Sequence, residues 1–109
     1  MLLRQESNLA ILTSQGIEVS NQFEAIQELY LDKGWTDGLP ITPPTRDRVM
    51  DMLAFCPMSP EDIICEVPPN WGSASIEKLA INAVMAGCIP QYFPIVIAAF
   101  EAMSDPSFN

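Results

Sequence analysis

The chain has 109 residues, 49% of them hydrophobic and 17% charged, so it is long enough for one small folded domain and too apolar to be disordered. Five Lys and Arg against fourteen Asp and Glu give a formal charge of −9, which opposes binding to nucleic-acid phosphates and to anionic membrane surfaces. No apolar run approaches the roughly 20 residues that span a bilayer. We therefore expect a cytoplasmic protein with no nucleic-acid partner and no membrane partner.

Histidine is absent from the sequence, and its absence narrows the catalytic and metal-binding chemistry that the chain could perform. It removes the commonest general base, the commonest transition-metal ligand and the base of a Ser-His or Cys-His pair. The three cysteines, Cys56, Cys65 and Cys88, form neither a CxxC pair nor a metal-binding spacing. Scattered cysteines in a reducing compartment are mostly small buried residues. The sequence thus predicts no metal site, and it identifies no cofactor.

Residues 1–20 are weakly patterned and are interpreted as a variable lead-in to a single helical domain at 21–109. The first helix is predicted in NQFEAIQELYLDKGW, with Asn21 as its N-cap and Gly34 at its C-terminal end. Its polar side chains, Gln27 among them, are expected to face away from the apolar stripe. That stripe contains Phe23, Ile26, Leu29 and Tyr30.

TDGLPITPPT follows, and its three prolines predict a stiff, extended connection. Thr45 is the expected N-cap of a second helix, RDRVMDMLAF, which Pro57 ends. The buried face of this helix is predicted to contain Val49, Met52, Leu53 and Cys56. Residues 63–67, IICEV, are the best strand candidate in the sequence.

A third helix is predicted from a cap at Ser73 or Ser75 to a C-terminal glycine, Gly87. Glu77 and Lys78 are interpreted as an ordinary exposed charged pair at its start. Pro90 fits the first turn of a last helix, which is apolar nearly all round from Ile95 to Met103. Such a helix predicts burial on both sides. Because 109 residues can hardly provide that, we expect another segment or subunit, or a second copy in a homo-oligomer, to cover it.

The predicted fold is mainly α, with about four helices, proline-rich connections and one short strand. A lone strand cannot form a sheet. We therefore expect that strand to pair beyond Asn109, which would make this chain the N-terminal part of a larger α/β domain.

Three segments share motifs with a known group of proteins: WTDGLPITPPT, EVPPNWGSASIEK and NAVMAGCIPQYFP. Together they resemble a large family of bacterial proteins with WTDGLP-x-x-PPT, VPP-x-x-G-x-A-T/S-x-EK and NAVMAGC-x-P-x-Y-x-P motifs, associated with the UGSC-type proteins. The resemblance covers about residues 22–109. Since members of that family continue further, it implies an incomplete N-terminal portion or a split subunit, and it implies no particular reaction.

Cys88 is the candidate catalytic residue, because it lies between a helix C-terminus and the first turn of the next helix. A helix N-terminus favours the nucleophilic thiolate. Against this, the chain has no histidine, and the nearest cation in the preceding helix is Lys78. A small apolar residue filling a corner between helices is the alternative, and the residue pattern favours it. The similar CxxC-His arrangement of AhpD-like proteins is absent, so Cys88 would need a resolving thiol from outside this chain.

Six further residues are candidates for substrate or ligand binding. Trp35, Asp37 and Gly38 would form either a ligand-contacting loop or a rigid turn with a core tryptophan. Ser73 and Ser75 would be either helix caps or part of an anion site made by free N–H groups. Asn82, on a mainly apolar helix, would need a hydrogen-bond partner if it is buried.

Two functional hypotheses follow from these residues. The first is the N-terminal segment or split subunit of a bacterial enzyme, thiol-dependent at Cys88, with a site that combines the Asp37 loop, the Ser73 loop and the cysteine. The second is a non-catalytic helical module that docks a partner subunit through residues 95–103. Whether the chain is an enzyme is left open by the sequence.

Overall fold

The computed structural model describes residues 2–3, 12–20, 22–67, 72–105 and 107. This part of the chain contains four α-helices and only short strands, so the protein is mainly α, as predicted. The helices are α1 (Phe23–Asp32), α2 (Arg46–Leu53), α3 (Ile76–Met85) and α4 (Phe93–Met103), with a short 3₁₀ helix at Pro90–Tyr92.

The described strands form two small pairs. β1 (Leu2–Leu3) is parallel to β2 (Gly16–Ile17), and β3 (Ile63–Val67) is antiparallel to β4 (Gly72–Ser75). The predicted strand is confirmed with the same bounds, but the prediction that its partner lies beyond Asn109 is wrong, because β4 pairs with it. Glycine, serine and alanine favour strands weakly, so GSAS gave no strand signal. Pro68 and Pro69, predicted to follow β3, lie outside the described residues.

The predicted helix starts are confirmed where a hydroxyl caps the helix. The side chain of Thr45 accepts a hydrogen bond from the N–H of Arg48 at α2, and Ser75 accepts one from the N–H of Lys78 at α3. At α1 the expected cap, Asn21, lies outside the described residues. The N-cap there is Gln22, whose side chain makes no capping hydrogen bond.

Two glycines end helices as predicted. Gly34 follows α1 at φ 72° and Gly87 follows α3 at φ 85°, conformations that residues with a Cβ rarely adopt. After α3, the N–H of Gly87 donates to the carbonyl of Val84 and the N–H of Cys88 donates to that of Ala83, both at 3.0 Å. This pair of bonds is the Schellman motif, which satisfies carbonyls that a helix end leaves without partners.

The main core surrounds α3. Seven of the ten α3 residues are buried, and the helix contacts α2, α4 and β4. Most of the predicted α2 face is buried too: Val49, Met52 and Leu53 are buried and Cys56 is half-buried. The other buried members of this core are Leu12, Ala74, Ile76, Leu79, Ala80, Ile81, Ala83, Val84, Phe93 and Ile97.

A second, smaller cluster holds α1. Ile26 and Tyr30 are buried as predicted, whereas Phe23 is 50% exposed. Gln27 was expected to face away from the core, and that prediction is wrong. Its side-chain amide both donates to and accepts from the backbone of Ile41, at 2.9 Å each, as a strand neighbour would. The proline-rich connection is therefore fastened to α1 by this side chain.

The described chain covers only one side of the last helix. Pro90 begins the 3₁₀ helix and Pro94 lies in the first turn of α4. Only one side of α4 is buried, at Phe93 and Ile97. Ile95 is 67% exposed and Met103 is 47% exposed, so the described residues leave the other side of α4 uncovered, as expected for a chain of this length.

Candidate functional site

Cys88 is held by the turn that ends α3. Its N–H closes the Schellman motif, and its thiol donates a weak 3.5 Å hydrogen bond to the carbonyl of the next residue, Ile89. The side chain is half-buried and packs against the main core. Cys88 precedes the N-cap of the 3₁₀ helix, Ile89, and so stands one residue outside that helix. The thiol therefore combines a packed side with an accessible side.

A pocket of about 300 Å³ opens beside this thiol. Arg48 and Asp51, three residues apart on α2, contribute the charged groups, and Thr42 contributes a hydroxyl. The Arg48 guanidinium is oriented by a 3.1 Å hydrogen bond from Nη1 to the carbonyl of Pro43. The remaining lining residues are Met52, Val84, Gly87, Cys88, Ile89 and Pro90. A mainly apolar pocket with a few polar groups is typical of small-ligand sites.

Sequence reasoning missed Arg48 and Asp51 as members of this pocket. It named Lys78 as the nearest cation, yet Lys78 lies in the first turn of α3, whereas Cys88 follows the C-terminal end of that helix. The available signal was the spacing of Arg48 and Asp51 in the second helix, because positions three apart share one face of a helix. What the sequence could not supply was the packing of α2 along α3, which brings that face to the turn at Gly87.

The WTDGLP segment forms a rigid turn. The Asp37 carboxylate accepts a 3.2 Å hydrogen bond from the N–H of Leu39, and Gly38 adopts φ 114°. Trp35 is half-buried, and its ring meets that of Tyr30 edge-on with 5.0 Å between centroids. Burial raises the pKa of Tyr30 to about 12. These contacts correspond to the rigid-turn alternative, with the tryptophan in the smaller cluster and Asp37 exposed.

The N-terminus of α3 offers no free amides for an anion at its first three positions. The N–H of Ile76 donates to the carbonyl of Asp62 at 2.9 Å, and that of Glu77 donates to the carbonyl of Pro60 at 2.8 Å. The N–H of Lys78 is bound by the Ser75 hydroxyl at 3.2 Å. Ser75 is thus the cap, while Ser73 lies exposed in β4. These three N–H groups are therefore not available to an anion.

Asn82 is exposed, and its side-chain NH₂ donates to the carbonyl of Lys78 one turn earlier at 2.8 Å. It therefore needs no ligand to satisfy it. Ser73 and Ser75 precede α3 and Cys88 follows it, and a ten-residue helix is about 15 Å long. The structure therefore does not bring the serines to the same end of the helix as the cysteine.

Glu77 corrects another prediction, because it is buried rather than exposed. The carboxylate is 3% exposed and accepts hydrogen bonds from the backbone N–H groups of Thr13 and Ser14, at 3.0 and 2.7 Å. Both hydroxyls of those residues also donate to it. Burial raises the pKa of Glu77, but the hydrogen bonds, led by that of Ser14, together outweigh burial and hold the pKa below its ordinary value. Glu77 thus fastens the lead-in segment to α3.

The exposed side of α4 is the second candidate site. Its large apolar side chains are those of Tyr92, the residue just before α4, Ile95 and Met103, which are 55%, 67% and 47% exposed, and three exposed alanines lie between Ile95 and Met103. The alanines are Ala98, Ala99 and Ala102. At 100° per residue these positions share one side of the helix, and Glu101, the single charged residue of α4, lies at its edge. We call these six apolar residues the α4 face.

In the described ranges, no three Cys, Asp or Glu side chains lie together in a group that could hold a metal ion. No helix in the same ranges is long and apolar enough to cross a bilayer. The side chain of Cys65 lies outside the described part of the structure.

No protein-family model, no curated protein and no solved structure matches this chain. The family resemblance carried by the three motifs therefore stays a prediction.

Proposed function

We propose that this chain is a helical interaction module that docks another protein surface through the α4 face. The observation that supports this proposal is the exposure of Ile95, 67%, in the middle of an uncharged face. An apolar patch on a monomer surface commonly marks an interaction site. We also propose that the protein is cytoplasmic, as predicted from the sequence.

Chemical labelling of the α4 face tests this function. In an Ile95→Cys variant, a maleimide labels the new thiol slowly when the face is covered and fast when it is open. The control is Glu28→Cys, an exposed position on α1. Mass spectrometry of the labelled peptides separates both sites from the native cysteines.

We expect position 95 to be labelled several-fold more slowly than position 28 in intact cells, and the difference to vanish after denaturation. Equal labelling of the two positions, both in cells and in the concentrated purified protein, would contradict the proposed function.

A thiol-dependent site at Cys88 is the second candidate function, and the shared pocket of Cys88, Arg48 and Asp51 favours it. This candidate retains the enzyme-subunit hypothesis from the sequence but replaces the three-loop site by a pocket between α2 and the end of α3. Arg48 would attract an anionic group of a substrate toward the thiol.

Two alkylating agents that differ in charge test this candidate. Because Arg48 attracts a carboxylate, Arg48→Ala should lower the ratio of the iodoacetate rate to the iodoacetamide rate at Cys88 several-fold. Cys56, also half-buried, lies outside the pocket and serves as an internal control. An unchanged ratio at Cys88 in the Arg48 variant would remove the pocket from consideration.

A further inference from the structure

We infer that the pocket beside Cys88 reversibly binds a small apolar α-amino acid, with the ligand carboxylate on Arg48, the ligand ammonium on Asp51 and the ligand side chain on the apolar wall. The inference rests on the pocket of the second candidate function but needs no reaction of the thiol. Three observations support it: the two opposite charges of the pocket are not paired with each other, the rest of its wall is mostly apolar, and its volume is small.

Arg48 and Asp51 bring two opposite charges to the pocket from adjacent turns of α2. Because the positions are three apart, their Cβ atoms lie about 5–6 Å from each other, close enough for an ion pair between the side chains. No ion pair joins these two described residues. The guanidinium instead donates from Nη1 to the carbonyl of Pro43 at 3.1 Å, which uses one of its several N–H donors. Both charges are thus available to a ligand.

A ligand with one carboxylate and one ammonium matches this pair of charges. Each ligand group then meets the opposite charge, and charge-assisted hydrogen bonds are stronger than those between neutral groups. A guanidinium also matches the planar geometry of a carboxylate. In an α-amino acid a single carbon separates the carboxylate from the ammonium, so the two groups together reach side chains on adjacent turns of one helix.

The charge of the whole chain favours a zwitterion over an anion. The formal charge of −9 repels anions, and Asp51 adds a negative charge beside Arg48 in the pocket itself. A phosphate or a dicarboxylate would bring more negative charge to this wall, whereas a zwitterion brings no net charge. A simple amine would leave Arg48 without a counterpart. The pocket therefore distinguishes among charge classes of small molecules.

The apolar part of the wall selects the side chain of the ligand. Met52 and Val84 are buried and belong to the main core, so packing fixes this part of the pocket. Ile89 and Pro90 add apolar surface at the start of the 3₁₀ helix. A volume of about 300 Å³ corresponds to roughly ten water molecules at about 30 Å³ each, and so to roughly ten non-hydrogen atoms. Leucine and methionine have this size.

Titration of the full chain with L-leucine, followed by amide NMR, tests the binding. We expect saturable shifts of the Thr42, Gly87 and Ile89 amides, which lie in the pocket wall. The dissociation constant should be about 1 mM or tighter, since so small a ligand makes few contacts. The amides of Glu24 and Glu28 on α1, outside the pocket, are the control and should not shift.

Two leucine analogues separate the roles of the two charges. Isocaproate lacks the ammonium and isoamylamine lacks the carboxylate, so leucine should bind several-fold more tightly than either. Arg48→Gln should remove the advantage over isoamylamine, and Asp51→Asn should remove the advantage over isocaproate. The matched controls, Lys78→Gln and Asp47→Asn, change exposed charges outside the pocket and should keep both advantages. Each pocket variant retains one of the two charges, so the analogue that uses that charge also reports whether the variant is folded.

The outcomes separate this inference from the proposed functions. Absence of pocket shifts up to about 10 mM leucine, or a preference for leucine that both pocket variants retain, overturns the inference. If Arg48→Ala changes the alkylation ratio at Cys88 while leucine does not bind, the thiol site stands and only the ligand inferred here is wrong. Labelling at position 95 tests docking through α4 separately, and a failure there leaves leucine binding unaffected.

Discussion

α3 and α4 show how little the composition of a helix decides about its burial. α3 carries two charged side chains, yet seven of its ten residues are buried, including a carboxylate. α4 is the more apolar helix, yet only Phe93 and Ile97 of its eleven residues are buried. The difference lies in what covers each helix: α3 has α2, α4 and β4 around it, whereas within the described chain nothing covers the α4 face. Apolar surface without cover is thus the feature that calls for a partner.

The same substitution in both helices should give the largest contrast. Ile81 is 2% exposed in α3, and replacing it by alanine removes buried methyl groups and leaves a cavity, for a loss of about 2–5 kcal/mol of unfolding free energy. Ile95→Ala, at an exposed position, should change it by less than about 0.5 kcal/mol in dilute solution. Urea unfolding at low protein concentration measures both, and equal losses would refute the contrast between the helices.

Replacing the buried carboxylate of α3 should give the next largest loss of unfolding free energy. Glu77→Gln removes a charged acceptor from four hydrogen bonds and leaves donors poorly matched, for an expected loss of about 1–3 kcal/mol. The exposed Glu28→Gln is the matched control and should change the unfolding free energy little.

The pH dependence of the stability difference between the wild type and Glu77→Gln follows from the lowered pKa of Glu77. Because folding lowers the pKa of Glu77 below 4.5, its carboxylate stabilises the fold fully above that value, and the contribution is lost as pH falls through the folded pKa. The wild type should therefore lose its advantage over Glu77→Gln in acid. A difference that stays constant from pH 7 to pH 3 would show that the carboxylate is not the source.

Substitutions at the C-terminal ends of α3 and α4 should differ less in their effect on the unfolding free energy. Gly87→Ala forces an alanine to φ 85°, which costs about 1–2 kcal/mol, while an added Cβ would meet its nearest neighbour, Thr42 Oγ1, at an ordinary 3.9 Å. Backbone strain and not a clash would thus be the cause. α4 ends at Ser104 in a right-handed conformation, so Ser104→Ala should cost less than about 0.5 kcal/mol. Thermal unfolding of the two variants compares these ends.

Local signals predicted much of this fold. The caps at Thr45 and Ser75, the glycines at helix ends and the strand at 63–67 depend on neighbours within a few residues, and each is confirmed. Contacts between residues that are distant in the sequence were not predicted. Glu77 meets Thr13 and Ser14 across more than 60 residues, and Gln27 meets Ile41 across a stiff connection. Polar side chains with such partners look like surface residues in a sequence.

The candidate sites follow the same rule: residues that stand out by their own type were predicted, and residues that packing brings together were not. Cys88 and the apolar segment 95–103 stood out in the sequence because their chemistry is carried by their own residue types. Arg48 and Asp51 did not, since only the packing of α2 beside α3 places them at the thiol. The association of Ser73 and Ser75 with Cys88 failed for a related reason: a helix separates motifs that loops alone would have allowed to meet.

Methyl NMR of Ile95 and Ile81 in one sample tests the central claim most directly, because the two residues represent the open and the covered helix. A soluble paramagnetic agent should broaden the methyl resonances of Ile95, which is 67% exposed, far more than those of Ile81, which is 2% exposed. Equal broadening of the two residues would contradict an open α4 beside a covered α3.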